Sequence, residues 1–299
     1  MNDSSWAQTK HRLGLWTAAI LRDVFGETAS DRFGILMYHR FSEIPNTGSP
    51  PTWSVTPPRF REQLQGLLSR GFKAIPLDQA IELAANDKPF PKKAFVVTID
   101  DGYENVYTHA WPILRELKVP ATLFLPTEFL GARDPFPFDD WQDKGNEHIT
   151  PESWRPMTID QCRELQREGT ITLGAHTHSH LDFRGKPSEF AADLAKNLYY
   201  LRDVFGIEQP TFAFPYGTKS AGFAGGALTE AVRSSGATCA LTTEAVTNSP
   251  RRDVFDWGRF EAEGQDTAAT LAGKLSGWFN SLQRVTRAVA ASATSPAQS

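Results

Sequence analysis

Cysteine is scarce in this sequence: Cys162 and Cys239 stand far apart among 299 residues, with no C-x-x-C arrangement. That excludes a disulfide framework and leaves two ordinary thiols. No apolar run reaches the length of a membrane-spanning helix. No stripe of Lys and Arg stands out, and the formal net charge is -4, so no nucleic-acid partner is expected. The fingerprint Gly-x-Gly-x-x-Gly is absent, which weighs against a dinucleotide-binding open sheet. A secretory signal needs a basic start, an apolar stretch and a small-residue cleavage site. The start Met1-Asn2-Asp3-Ser4-Ser5, with Lys10, His11 and Arg12 before a short apolar stretch from Leu13 to Leu21, does not compose one. The cytoplasm is therefore the expected compartment, with a peripheral-membrane or exported protein as alternatives.

What is present suits one large domain, since a chain that is 40% hydrophobic can bury a sizeable core without staples. Residues 6–25 carry Trp6, Leu13, Leu15, Trp16, Ile20, Leu21, Val24 and Phe25 at helical spacing. They predict an amphipathic extension over 1–30 that packs on the domain, on a second subunit or on a membrane surface. Strand and helix patterns then alternate. Strands are expected at 34–39, 72–76, 93–100, 121–125, 171–175, 211–214 and 239–242, with helices between them. Alternation of this kind implies parallel pairing with right-handed crossovers. About seven units in a chain of this length favour a barrel over an open sheet. The barrel is expected over 31–284 and a disordered tail over 285–299, where residues are small and polar. Between Gly131 and Pro156 lies an aperiodic stretch holding Trp141, His148 and Trp154. Loops of that length are usually functional, and its aromatics suit either sugar stacking or tethering to the barrel.

Two clusters carry chemistry. Thr98-Ile99-Asp100-Asp101-Gly102 ends the strongest strand, and His176-Thr177-His178-Ser179-His180 follows another. Strand ends supply the active site of a parallel barrel. Adjacent carboxylates there are costly unless a cation neutralises one of them. Two histidines four apart can face one ion, and two imidazoles with one carboxylate leave coordination positions open, as a catalytic metal requires. Zinc is the default for such ligands, with cobalt or nickel also accommodated.

The first cluster resembles the T-F-D-D-G motif of polysaccharide deacetylases with the NodB homology domain, carbohydrate esterase family 4. His176-Thr177-x-x-His180 resembles that family's H-S/T-x-x-H motif, and Phe212-Ala213-Phe214-Pro215-Tyr216-Gly217 its R-x-P-Y motif, in the same order. The resemblance implies a distorted (β/α)7 barrel, related to the TIM barrel, that removes acetyl groups from an acetylated polysaccharide or oligosaccharide. It implies that Asp101, His176 and His180 hold one divalent metal. Asp100 is then the general base, the Tyr216 backbone N–H an oxyanion donor, Pro215 the shaper of that turn, and Thr177 a support for the histidine loop. His178 is expected to point elsewhere.

Two departures from the family pattern stand out. Ala213 replaces the Arg that orients the base, and Arg259 in Trp257-Gly258-Arg259-Phe260 is the candidate substitute. No His follows His180, so the family's C-terminal general acid is missing. His39, at the end of the first strand, is the candidate acid, in the style of poly-N-acetylglucosamine deacetylases, which carry a similar Tyr-His there. Histidine suits that role because its pKa lies near neutrality. Asp253-x-x-Asp256-Trp257 resembles a D-x-x-D-W fragment whose Trp lines the acetyl pocket. The leading expectation is an N-deacetylase. The alternatives are an O-acetyl esterase on a xylan-like polymer, a decayed carbohydrate-binding barrel and a metal-free glycosidase.

Overall fold

The computed structural model describes residues 13–21, 31–43, 52–139 and 150–278. Eight parallel strands form one sheet: β1 (Gly34–Tyr38), β2 (Lys73–Ala74), β3 (Ala94–Ile99), β4 (Ala121–Leu125), β5 (Ile171–Ala175), β6 (Phe212–Ala213), β7 (Ala240–Leu241) and β8 (Phe260–Glu261). Their order is β7-β6-β5-β4-β3-β1-β8, with β2 a stub on β3. The curled sheet closes where Leu241 bridges Trp257 and the Thr242 N–H donates to the Trp257 carbonyl at 2.8 Å. The result is the expected (β/α)7 barrel, strongly distorted by its short β6, β7 and β8.

The seventh barrel strand is not the one that the sequence pattern suggested. Residues 72–76 supply only β2, which pairs with the start of β3 and ends before Pro76, a residue without an N–H for the ladder. The closing strand is β8. Its pattern is hidden because Arg259 and Glu261 interrupt the apolar run.

Alternation along the strands separates two cores. Leu36, Tyr38, Phe95, Val97, Ile99, Leu123 and Leu125 face the helices. Ile35, Val96, Phe124, Ala213 and Leu241 face the interior, which Phe33, Phe90 and Trp257 fill from below. The outer layer holds α2 (Pro57–Ser69), α4 (Trp111–Leu117), α5 (Ile159–Glu168), α6 (Pro187–Phe205), α7 (Gly226–Ser234) and α8 (Ala268–Leu275). By contrast, α3 (Leu77–Ala85) sends Leu77 and Ala80 into the inner cluster and plugs the barrel floor. Helix starts follow their caps: Thr158 and Gln161 form a reciprocal capping box at α5, and Thr56 caps α2 ahead of its paired prolines.

At the N-terminus the described helix, α1, covers 13–21, and the remainder of the 6–25 pattern lies outside the described residues. Its buried face is Leu15, Ala18 and Ala19, whereas Leu13, Trp16 and Ile20 are exposed. The apolar residues of the pattern thus divide between a buried and an exposed side. The reason is steric: Gly273 of α8 brings its backbone so close that an added Cβ would lie 2.9 Å from the Ala19 nitrogen, and only small residues fit there. The tail at 285–299 lies outside the described residues, as do Trp141 and His148. Half-buried Trp154 lies in a described segment tied to the Asp-Asp-Gly loop by Met157 N–H to the Gly102 carbonyl (2.9 Å) and Glu104 N–H to the Arg155 carbonyl (2.9 Å).

Candidate metal centre and active site

The strand ends deliver the motif residues to one mouth. After β3 the chain turns through two consecutive left-handed residues, Asp101 (φ 71°) and Gly102 (φ 74°). Gly102 is required there, because a Cβ would meet Leu125 at 2.5 Å as well as an unfavourable φ. Thr177, His180 and Tyr216 are left-handed too, at φ 63°, 54° and 60°. Half of the eight non-glycine residues with positive φ among the described residues thus carry the motifs, the pattern of strain held at a functional site.

Asp101, His176 and His180 are buried, and their ligand atoms all lie within 4.8 Å of one another. Asp101 Oδ1 is 3.5 Å from His176 Nε2 and 3.4 Å from His180 Nε2. That oxygen is buried with no hydrogen-bond partner. His176 Nδ1 meets the Ala213 carbonyl at 2.8 Å, and since a carbonyl only accepts, Nδ1 carries the proton and Nε2 presents its lone pair to Asp101. Two imidazole nitrogens and an orphaned carboxylate oxygen converging on one point suit a cation and little else. Burial pushes the Asp101 carboxyl up, but the close approach of the His176 and His180 imidazoles holds it well below the usual range. Burial also lowers the His180 imidazole.

The histidine loop is held from α6, by residues that the sequence pattern did not single out. The His176 N–H donates to Asn197 Oδ1 (3.1 Å), and the His178 N–H, Ser179 N–H and Ser179 hydroxyl donate to Asp193 (2.6, 3.2 and 2.6 Å). Asn197 also donates to the Leu125 carbonyl and to Thr127, tying β4 to the same loop. The signal was there: Asp193 and Asn197 are buried polar residues one turn apart within the apolar stripe of α6. The Thr177 hydroxyl accepts from the His180 N–H at 3.1 Å, and His178 Nδ1 turns to Thr127 at 2.9 Å, away from the trio. Phe138 stacks on the His180 ring at 3.8 Å between centroids.

Beside the trio, Asp100 accepts a two-pronged contact from Arg259, Nη1 to Oδ1 at 2.6 Å and Nη2 to Oδ2 at 2.8 Å. The gap left by Ala213 on β6 is thus filled from the start of β8, two strands around the ring. Burial raises the Asp100 carboxyl, yet the charge of Arg259, then His176, then the Arg259 hydrogen bonds bring it below its ordinary value. His39 Nε2 lies 3.9 Å from Asp100 Oδ2. Burial lowers the His39 imidazole, against the pull of Asp101 and Asp100. Gly217 N–H donates to the Pro215 carbonyl at 2.6 Å, a tight turn that sets Tyr216 over His180 with ring centroids 5.0 Å apart. The Tyr216 backbone N–H has no acceptor among the described residues.

Trp257 requires a correction. It is fully buried against Phe33 and Phe90 (centroids 5.1 and 6.3 Å). The register that pairs Leu36 with Phe260 sets it level with Phe33, at the start of β1. It is a floor residue, two positions below Arg259 on the same inward face, and does not line a pocket at the mouth.

Comparison with known proteins agrees with this geometry. Residues 87–234 match the family model described as polysaccharide deacetylase. The poly-beta-1,6-N-acetyl-D-glucosamine N-deacetylase of Escherichia coli K12 is 29% identical over 192 residues, 55% of this chain and 28% of that protein. The protein of the same name from Staphylococcus epidermidis is 27% identical over 174 residues, 55% of this chain and 54% of that one. The chain therefore spans about half or less of the length of these relatives. Among solved structures, IcaB from Ammonifex degensii aligns with a TM-score of 0.67 at 25% identity, over 82% of this chain and 97% of that one. Streptococcus pyogenes deacetylase PplD, in complex with acetate, aligns with a TM-score of 0.67 at 18% identity, over 83% and 99%. At that identity the second likeness speaks for the fold.

Proposed function

This chain belongs to the polysaccharide deacetylase family through the domain that its residues 87–234 match, and on that premise we propose that it is a metal-dependent hydrolase removing N-acetyl groups from N-acetylhexosamine units of a polysaccharide, with release of acetate. The orphaned Asp101 oxygen facing two imidazole nitrogens is the observation that carries this reading. The names of the curated relatives support the substrate class. Asp101, His176 and His180 would hold one divalent ion, with zinc favoured by ligand type and cobalt or nickel acceptable. Such an ion, when bound, polarises the acetyl carbonyl and acidifies water at the same centre.

The chain's own groups then divide the proton work. Asp100, ionised and clamped by Arg259, takes the proton of the attacking water. The Tyr216 backbone N–H, fixed by its strained turn and without an acceptor, meets the charge that develops on the acetyl oxygen. His39 delivers a proton to the departing amine. Asp100, which has taken the proton of the water, lies beside it with Oδ2 3.9 Å from Nε2, so the same proton can pass by way of His39 to the amine. The lowered His39 imidazole favours a second reading, an O-acetyl esterase, since an ester needs less help from an acid.

One experiment tests the proposal. Acetate release is measured from N-acetylglucosamine oligosaccharides and from acetylated xylan, alongside elemental analysis. We expect about one equivalent of zinc-group metal and turnover of the N-acetyl substrate. Asp100→Asn is expected to retain that metal and lose turnover by at least about 100-fold, as removal of a general base does. Wild-type protein that binds no metal, or full activity in Asp100→Asn, overturns the assignment, and release from xylan alone selects the esterase.

A further inference from the structure

A large aromatic ring stands half in solvent at the mouth. Trp53 is 51% exposed, yet its indole lies flat against His39, with centroids 5.6 Å apart and planes at 29°. Its placement is built in. Beyond β1 the chain at 40–42 is zipped to residues 53–55: Arg40 N–H donates to the Trp53 carbonyl (3.3 Å), Val55 N–H to the Arg40 carbonyl (3.0 Å) and Ser42 N–H to Ser54 Oγ (3.2 Å). Trp53 itself is held in the left-handed region at φ 51°, which a bulky residue adopts at a cost. An apolar ring kept in water by a strained backbone, beside the candidate acid, does not serve the core.

Tyr216, 41% exposed, stands beside His180 after β6. In the ring order, β3, β4 and β5 separate β1 from β6 one way, and β8 and β7 the other. Trp53 and Tyr216 therefore flank the metal centre from opposite rims of one mouth. We propose that Trp53 is a substrate-binding platform that stacks on the C–H face of a sugar neighbouring the one that loses its acetyl group, so that the site takes an internal stretch of glycan spanning the mouth. This inference rests on the polysaccharide reading of the site. It gives the exposed indole face a ligand of fitting chemistry: a pyranose ring offers an apolar face for stacking and hydroxyls that remain in water.

The test compares the holoenzyme with Trp53→Leu and Trp53→Phe on N-acetylglucosamine oligosaccharides of one to five units, by steady-state kinetics and calorimetric binding. For the wild type, KM is expected to fall as the substrate lengthens. Trp53→Leu should raise KM for the pentamer about tenfold, equivalent to 1.4 kcal/mol, with a much smaller change for the monomer. Trp53→Phe should recover part of that difference. A loss in Trp53→Leu that is equal for every length would overturn the platform and reduce Trp53 to a cover for His39, while leaving the deacetylase reading intact. Wild-type protein that neither binds nor deacetylates any oligosaccharide would overturn both.

Discussion

Arg259 has no exposed surface, and its guanidinium meets both oxygens of Asp100 while its Nε reaches the Thr242 carbonyl at 3.3 Å. Removing one member of such a pair strands the other charge in a buried site, at a cost of about 3–5 kcal/mol. On the proposed function, Arg259→Met should lower stability to denaturant by that order and reduce kcat more than tenfold while metal content stays at the wild-type level. Denaturant titration with metal analysis checks this, and unchanged turnover would mean that Asp100 needs no clamp. At this scale much was legible. Asp100, Asp101, His176 and His180 sit in short motifs, and short motifs encode their own geometry. Arg259 was a candidate only through the resemblance, because Ala213 stands where the family motif has an Arg. Trp257 was misread, because a motif fragment fixes which face a residue occupies and not its height within the barrel.

The elements show why the rest was hidden. Asp193 and Asn197 scaffold the histidine loop, and although they interrupt the apolar stripe of α6, what they hold is not readable from that helix, because most of their partners lie in the loop after β5. Asp193→Ala would leave the His178 and Ser179 N–H groups without their acceptor. Groups that orient ligands are typically worth 10–100-fold in metal affinity. On the proposed function, we expect affinity for added zinc to fall within that range, as read by competition with a chelating dye, with Asp193→Asn intermediate. An affinity equal to wild type would show that the loop holds itself. The strand count came out right with one wrong member for a related reason. β8 carries inward charges that break the apolar pattern, whereas residues 72–76 look like a barrel strand and supply only a stub.

For the molecule as a whole, Glu261 links stability to pH. Burial, with Glu263 adding, lifts its carboxyl from its ordinary 4.5 to about 7, Lys274 pulls the other way and Asp266 adds to the rise. Lys274 Nζ is engaged by Asp266 at 2.7 Å and by the Glu261 carbonyl at 2.8 Å. A raised carboxyl favours the protonated folded state. Its contribution is complete below about pH 4.5 and is lost as pH rises through about 7. The unfolding free energy should therefore decline by about 2–3 kcal/mol between those limits from this group alone. Glu261→Gln should flatten that slope in calorimetry across the range, and an identical pH profile in the variant would remove Glu261 from the account.

The plugged floor has a bearing on traffic. With α3, Trp257 and Phe124 filling the barrel below the candidate catalytic groups, the described residues leave no back door. On the proposed function, water would arrive, and acetate would depart, through the entrance that the glycan itself would cover. A tightly seated polymer would trap its own by-product, so turnover on long chains would be paced by how often the sugar lifts away from the rim.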